Sequence, residues 1–202
     1  MAEAEAPVVD VVFGLAGTSL PVEYAWGLWR AVGVWLPWLE AEPTAGIHPL
    51  RTAPTGYGVV LLANRAKLTL RVPASRLEDT LALAGKTLDV AGNELAVGAG
   101  AARPLWPWAT LHAHRVAADA ASEAAFQEQV AAWLQARGVV CQFITGRRRT
   151  VTAGERQIVG FSVVLHGLTP DVSLRVQFEG MGGERALGCG IFVPHKSIAA
   201  VA

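Results

Sequence analysis

Apolar residues crowd the opening of the chain and then change period. Val8-Val9-Asp10-Val11-Val12-Phe13, within residues 7–15, is β-branched and aromatic and predicts a strand. After the turn Gly17-Thr18-Ser19, Ala25, Leu28, Val32, Leu36 and Leu39 recur every three or four residues, which predicts a helix over about 22–39. Pro37 should end or kink it. An irregular Pro/Gly loop over 42–51 follows, then two short strands near 58–63 and 67–72 with Asn64-Arg65 as their turn. Ser75-Arg76-Leu77-Glu78 has capping-box spacing, and the helix it opens should stop at Gly85. Thr87–Val90 and Glu94–Val97, separated by Ala91-Gly92-Asn93, read as a hairpin.

The order then starts again. Residues 109–117 predict a strand. Ser122 caps a helix that buries Phe126, Val130 and Trp133 or Leu134 and stops at Gly138. Residues 139–145 and 157–165 predict strands, with Gly146-Arg147-Arg148-Arg149-Thr150 as the turn between them. Thr169-Pro170 opens a last helix, with proline in the first turn, and Gly190–Val193 is the final strand. Residues 197–202 should fray. Each half therefore reads strand, helix, strand, strand, helix, strand, the ferredoxin-like (βαββαβ, RRM-like) order. The expected fold class is α+β, with two such domains over 1–98 and 108–202. The Gly/Ala/Pro stretch 99–107 is the expected linker.

Composition narrows the class. With 52% hydrophobic and 17% charged residues the chain should pack rather than stay disordered. No apolar run reaches the roughly 18 residues of a membrane span. The acidic start, Met1-Ala2-Glu3-Ala4-Glu5-Ala6, lacks the apolar core of a signal peptide, so a cytoplasmic protein is expected. Cys141 and Cys189 form no CxxC pair and are expected as buried thiols. Formal net charge is zero, so any nucleic-acid site must be a local patch. Arginine outnumbers lysine 14 to 3, which favours bidentate phosphate contacts over point charges.

Candidate chemistry lies in three places. Gly180, Gly182, Gly183, Gly188 and Gly190 fall within eleven residues, but this loop follows a helix and so fits neither a P-loop nor a dinucleotide fingerprint. Arg185 is the only basic residue in it. Arg147, Arg148 and Arg149, expected at a hairpin tip and widened by Arg156, form an exposed cationic patch suited to RNA phosphates. His48, in the irregular loop, can move protons near neutral pH. His112 and His114 share a strand face but lack further partners, so neither metal nor cofactor is expected.

Four phrases in order resemble a known family: Ala45-Gly46-Ile47-His48-Pro49-Leu50, Leu83-Ala84-Gly85-Lys86-Thr87-Leu88, Gly146-Arg147-Arg148-Arg149-Thr150, and Leu187-Gly188-Cys189-Gly190-Ile191-Phe192-Val193-Pro194. With two ferredoxin-like halves they resemble the CRISPR repeat-processing endoribonucleases of the Cas6 type, in the repeat-associated mysterious protein (RAMP) superfamily, and within it the compact branch first described in myxobacterial type I systems. The resemblance implies metal-independent cleavage of a repeat stem-loop in precursor CRISPR RNA, leaving a 2′,3′-cyclic phosphate and a 5′-hydroxyl. It implies His48 as general base or acid. Such a reaction needs charge relief at the phosphate, for which Arg51 and Lys67 are candidates. Tyr24 is a further candidate, since some relatives use a tyrosine on the first helix. The glycine-rich loop would touch RNA through backbone N–H groups. Partners implied are the repeat RNA and other subunits of a type I effector complex. The alternative is a RAMP subunit that binds guide RNA without cutting it. A small-molecule enzyme on the same fold ranks last.

Overall fold

Strand β1 (Val8–Ala16) alternates Val11, Phe13 and Leu15 into a core and leaves Asp10 and Val12 on the other face. A computed structural model describes residues 8–119 and 122–196. The acidic start and the terminal residues expected to fray lie outside the described residues. After β1 come β2 (Ser19–Pro21), α1 (Tyr24–Trp35), β3 (Gly46–Ile47), β4 (Thr52–Pro54), β5 (Val59–Leu62), β6 (Lys67–Pro73), α2 (Leu77–Leu81), β7 (Thr87–Val90) and β8 (Asn93–Pro104). The chain continues with β9 (Thr110–Ala117), α3 (Glu123–Ala136), β10 (Gln142–Ala153), β11 (Arg156–His166), α4 (Pro170–Glu179) and β12 (Phe192–Pro194).

Two units result. The first holds the described part of Met1–Pro104 with Thr152–Glu155 and Arg185–Leu187. The second holds Leu105–Val151, Arg156–Glu184 and the described part of Gly188–Ala202. In the first, an antiparallel sheet runs β3-β6-β1-β8-β7, and β2, β5 and β4 form a small separate sheet. Leu68, Leu70 and Val72 of β6 join the β1 residues and Leu28 and Val32 of α1 in one core. Each such fully buried side chain contributes about 1.5–3 kcal/mol. In the second unit the sheet runs β10-β11-β9-β12, with Phe126 and Val130 of α3 and Val176 of α4 packed on Leu111, Phe161, Val163 and Phe192. Both sheets have the ferredoxin-like order, in which the first and third strands of the motif sit centrally.

Local chemistry explains several departures from expectation. Helix α1 ends at Trp35, because Pro37 opens a 3-10 turn over Pro37–Ala41. The expected capping box does not form. Ala74–Arg76 is a 3-10 turn and the N-cap of α2 is Arg76, with no side-chain cap bond, while Thr80 Oγ1 donates to the Arg76 carbonyl at 2.6 Å. Ser122 does cap α3, accepting from the Ala125 N–H at 3.2 Å. The expected linker is strand through Pro104, paired with β1 from Val9↔Pro104 to Phe13↔Gly100. Its glycines help rather than break it: a Cβ at Gly100 would run into the Phe13 ring. The Arg147–Thr150 turn is likewise strand; β10 continues to Ala153 and the chain reverses at Gly154, whose φ is 62°. Cys141 is half-buried and Cys189 buried; both are free. No described helix is long and apolar enough to cross a membrane.

Candidate active site

The face of the first unit's sheet turned away from its core carries a charge pair that strand register creates. Asp10 of β1 lies directly opposite Arg71 of β6. Arg71 Nε donates to Asp10 Oδ1 at 2.8 Å and Nη2 to Oδ2 at 3.1 Å, a bidentate pair. The Arg71 side chain is fully buried, and 16% of the Asp10 side chain is exposed. Strand β3 brings in the histidine. Ile47 pairs with Leu70 and is buried in the core, so the next residue, His48, takes the opposite face. The His48 N–H donates to the Thr69 carbonyl at 2.9 Å, and Nε2 stands 3.3 Å from Asp10 Oδ1.

Electrostatics select one tautomer. Burial alone would raise the Asp10 carboxyl, but hydrogen bonds from His48 and Arg71 and the Arg71 charge outweigh it and hold it well below the usual carboxylate range. Burial pushes His48 below its ordinary value. The Asp10 bond opposes that, and the Arg71 and Arg185 charges add to it. A neutral imidazole against an ionised carboxylate must donate through Nε2–H, which leaves the lone pair on Nδ1. The arrangement is a base whose conjugate acid is stabilised by an adjacent carboxylate, itself held by a buried guanidinium.

Two further groups shape the site. Tyr24, the first residue of α1, accepts from the Leu50 N–H at 2.9 Å, and its hydroxyl stands 3.4 Å from the Leu50 carbonyl, which pins the loop two residues beyond His48. Arg185 opens a buried 3-10 turn, Arg185–Leu187, that packs against β3 and α1. Burial and the Arg71 charge push its guanidinium down to about 10, with Asp10 opposing. Among the described residues, no three or more His, Cys, Asp or Glu side chains are grouped to hold a metal ion.

A family model described as Cas6 Crispr matches residues 9–197. The chain belongs to the Cas6 family. It is 36% identical over 187 residues to a Myxococcus xanthus (strain DK1622) protein named CRISPR-associated endonuclease Cas6, covering 92% of this chain and 81% of that one. Its fold is similar to a solved CRISPR associated protein Cas6 (TM-score 0.63, 12% identity, 94% of this chain and 100% of the other). It is also similar to a RAMP protein described as binding different RNA substrates (TM-score 0.64, 11% identity, 91% and 98%).

In this Cas6-family chain the expected site residues scatter. Tyr24 and Arg185 stand with His48. Lys67 is exposed on β6, four residues from Arg71 and on the same strand face. Arg51 is exposed three residues past His48. Arg147, Arg148 and Arg149 are exposed along β10, and Arg156 forms an exposed ion pair with Glu184 at 3.1 Å. Gly180, Gly188 and Gly190 are buried turn residues with positive φ, whereas Gly182 and Gly183 are exposed. Much of this loop's backbone is already committed. Met181 N–H donates to Gly190 O, Cys189 N–H to Glu184 O and Gly190 N–H to Arg115 O. A Cβ at Gly190 would run into the Met181 carbonyl oxygen. Of the five loop glycines, Gly182 and Gly183 are the exposed ones.

Asp10 and Arg71 were not singled out by sequence reasoning. A signal was present: each is the lone charge in an apolar strand run, Val8–Phe13 and Leu68–Val72. Replacing Tyr24 by Phe is expected to cost about 1 kcal/mol, the price of the lost Leu50 N–H acceptor. Cleavage should fall several-fold through loosened placement of His48. Denaturant melts and single-turnover rates check this, and a hundredfold loss of rate at unchanged stability would make Tyr24 a catalytic group instead.

Proposed function

We infer that this chain is an endoribonuclease that cuts the repeat of precursor CRISPR RNA; its 36% identical relative is named a CRISPR-associated endonuclease. The observation that carries the reading is the His48–Asp10–Arg71 arrangement, which supplies a positioned neutral base inside a Cas6-family fold. His48 Nδ1 takes the proton of the ribose 2′-hydroxyl, whose oxygen attacks the adjacent phosphorus. The 5′-oxygen leaves and takes a proton from solvent, and a 2′,3′-cyclic phosphate and a 5′-hydroxyl result. Asp10 stabilises the imidazolium as it forms. Arg185, whose charge acts on His48, offsets charge on the phosphate, with Lys67 and Arg51 as outer candidates. The exposed arginines of β10 and the Gly182-Gly183 turn hold the repeat stem-loop. The cut RNA stays with the protein as it joins other subunits of a type I effector complex in the cytoplasm. No cofactor takes part.

Incubation of the purified chain with repeat RNA in EDTA tests the reading. The expected products carry a 2′,3′-cyclic phosphate and a 5′-hydroxyl, resolved by phosphatase and kinase treatment. A requirement for added divalent metal, or a 5′-phosphate product, would overturn it. Because the folded His48 titrates below 6.5, the rate should rise with pH on the acid side and level off before neutrality. A midpoint above 7 would point to a different base.

A further inference from the structure

The second unit carries three rings that this reaction does not use. On β9 the buried Leu111 and Ala113 alternate with His112 and His114, which take the sheet face away from the core. At the neighbouring strand β12, Phe192 is buried and Val193 pairs with His112. His195, one alternation further on, is tied to β9 by its N–H to the Thr110 carbonyl at 3.1 Å. The His112 centroid lies 6.4 Å from that of His114 and 5.5 Å from that of His195, both edge-on. His195 Nδ1 donates to the Lys196 carbonyl at 2.6 Å, which fixes that ring.

The surroundings are small and positive. Ser162 of β11 sits between buried Phe161 and Val163, and the adjacent Gly146 of β10 leaves no room for a Cβ beside its hydroxyl. Burial pushes His112 and His114 down, the latter to about 4, and every charged neighbour acting on them is a cation, Arg149 on both. At neutral pH the two rings are uncharged flat surfaces beside a guanidinium. Ferredoxin-like RNA binders stack unpaired bases on rings displayed by such a sheet, while cations track the phosphates.

We propose that this sheet face is a second RNA site, where a single-stranded segment lays its bases on His112, His114 and His195 and its phosphates toward Arg149. The site rests on the reading of the protein as an RNA enzyme, yet it is separate from the cleavage chemistry. It would hold the unpaired RNA that flanks a repeat stem.

The test uses the full chain and a fluorescein-labelled eight-nucleotide oligoadenylate, followed by anisotropy. His112→Ala with His114→Ala is expected to weaken binding at least about tenfold, since both stacking surfaces are removed. His112→Phe with His114→Phe, which keeps the flat surfaces, should stay within about threefold of the native protein. Arg149→Gln, at an exposed position, should flatten the slope of log affinity against log salt by about one phosphate contact. Binding unchanged in the alanine variant, equal losses in the alanine and phenylalanine variants, or an unchanged salt slope would each overturn the proposal. Cleavage of repeat RNA by the native chain is scored separately, so the loss of one reading leaves the other standing.

Discussion

His48→Ala is expected to slow cleavage of repeat RNA by roughly 10²–10⁴-fold, the usual contribution of a positioned proton-transfer group. Affinity for the RNA should stay within a few-fold of the native value. The rate effect is expected to be large because the charged groups around His48 are poor substitutes for a neutral imidazole. The Asp10 carboxylate is held ionised well below the usual range and is correspondingly weak as a proton acceptor, and Arg71 and Arg185 are cations. The binding effect is small because only 14% of the His48 side chain is exposed and the exposed arginines lie on β10. Single-turnover rates with saturating protein, paired with filter-binding affinities, separate the two. A variant that cuts at the native rate would remove His48 from the mechanism. One that fails to bind would make it a structural residue.

Asp10→Ala should cost about 3–5 kcal/mol of stability, the usual penalty for removing one member of a buried ion pair. Arg71 is fully buried, and Asp10 engages it through both carboxylate oxygens. Replacing the pair together, Asp10→Val with Arg71→Met, should recover most of that stability, because no desolvated charge is then left behind. Activity should remain low in the double variant, since His48 has lost the carboxylate that steadies it. Urea melts and cleavage rates on the same samples check both parts, and a double variant as unstable as Asp10→Ala would refute the ion-pair account. Acid offers a second check with a definite sign. The folded carboxyl titrates below its ordinary 3.8, so its stabilisation is complete above that value and is lost as pH falls toward the lowered one. The stability gap between native protein and Asp10→Ala should therefore close below about pH 4 and stay open above it.

The legible parts of this protein share a physical property: they are local. Phe126, Val130 and Leu134 mark the buried face of α3 because helical period is written in neighbouring residues, and Ser122 caps that helix as its spacing implies. His48 stood out for the same reason, as a histidine inside a Pro/Gly loop. Arg147–Thr150 misled because glycine and clustered charge look like a turn, whereas pairing with β11 keeps the stretch in a strand. The 99–107 stretch misled similarly. Its low side-chain content reads as linker, but β1 accepts it as a partner through Pro104.

From sequence alone came the two ferredoxin-like halves, most of the elements, the faces that build each core, the histidine and the family phrases; the edge strand Gly46–Ile47 reads as loop, and the strand expected at 58–63 pairs in the separate small sheet. Tertiary structure decided who stands beside that histidine. Asp10 and Arg71 are sixty-one positions apart and meet only because β1 and β6 pair in one register; a slip of one residue in either strand would turn that strand's charge toward the core and part the pair. Arg185, expected on an RNA-facing loop, is instead buried where its charge acts on His48. Periodicity reports which face of an element is buried. Register and long-range packing, which no single stretch encodes, determine which polar groups on the other face become a site.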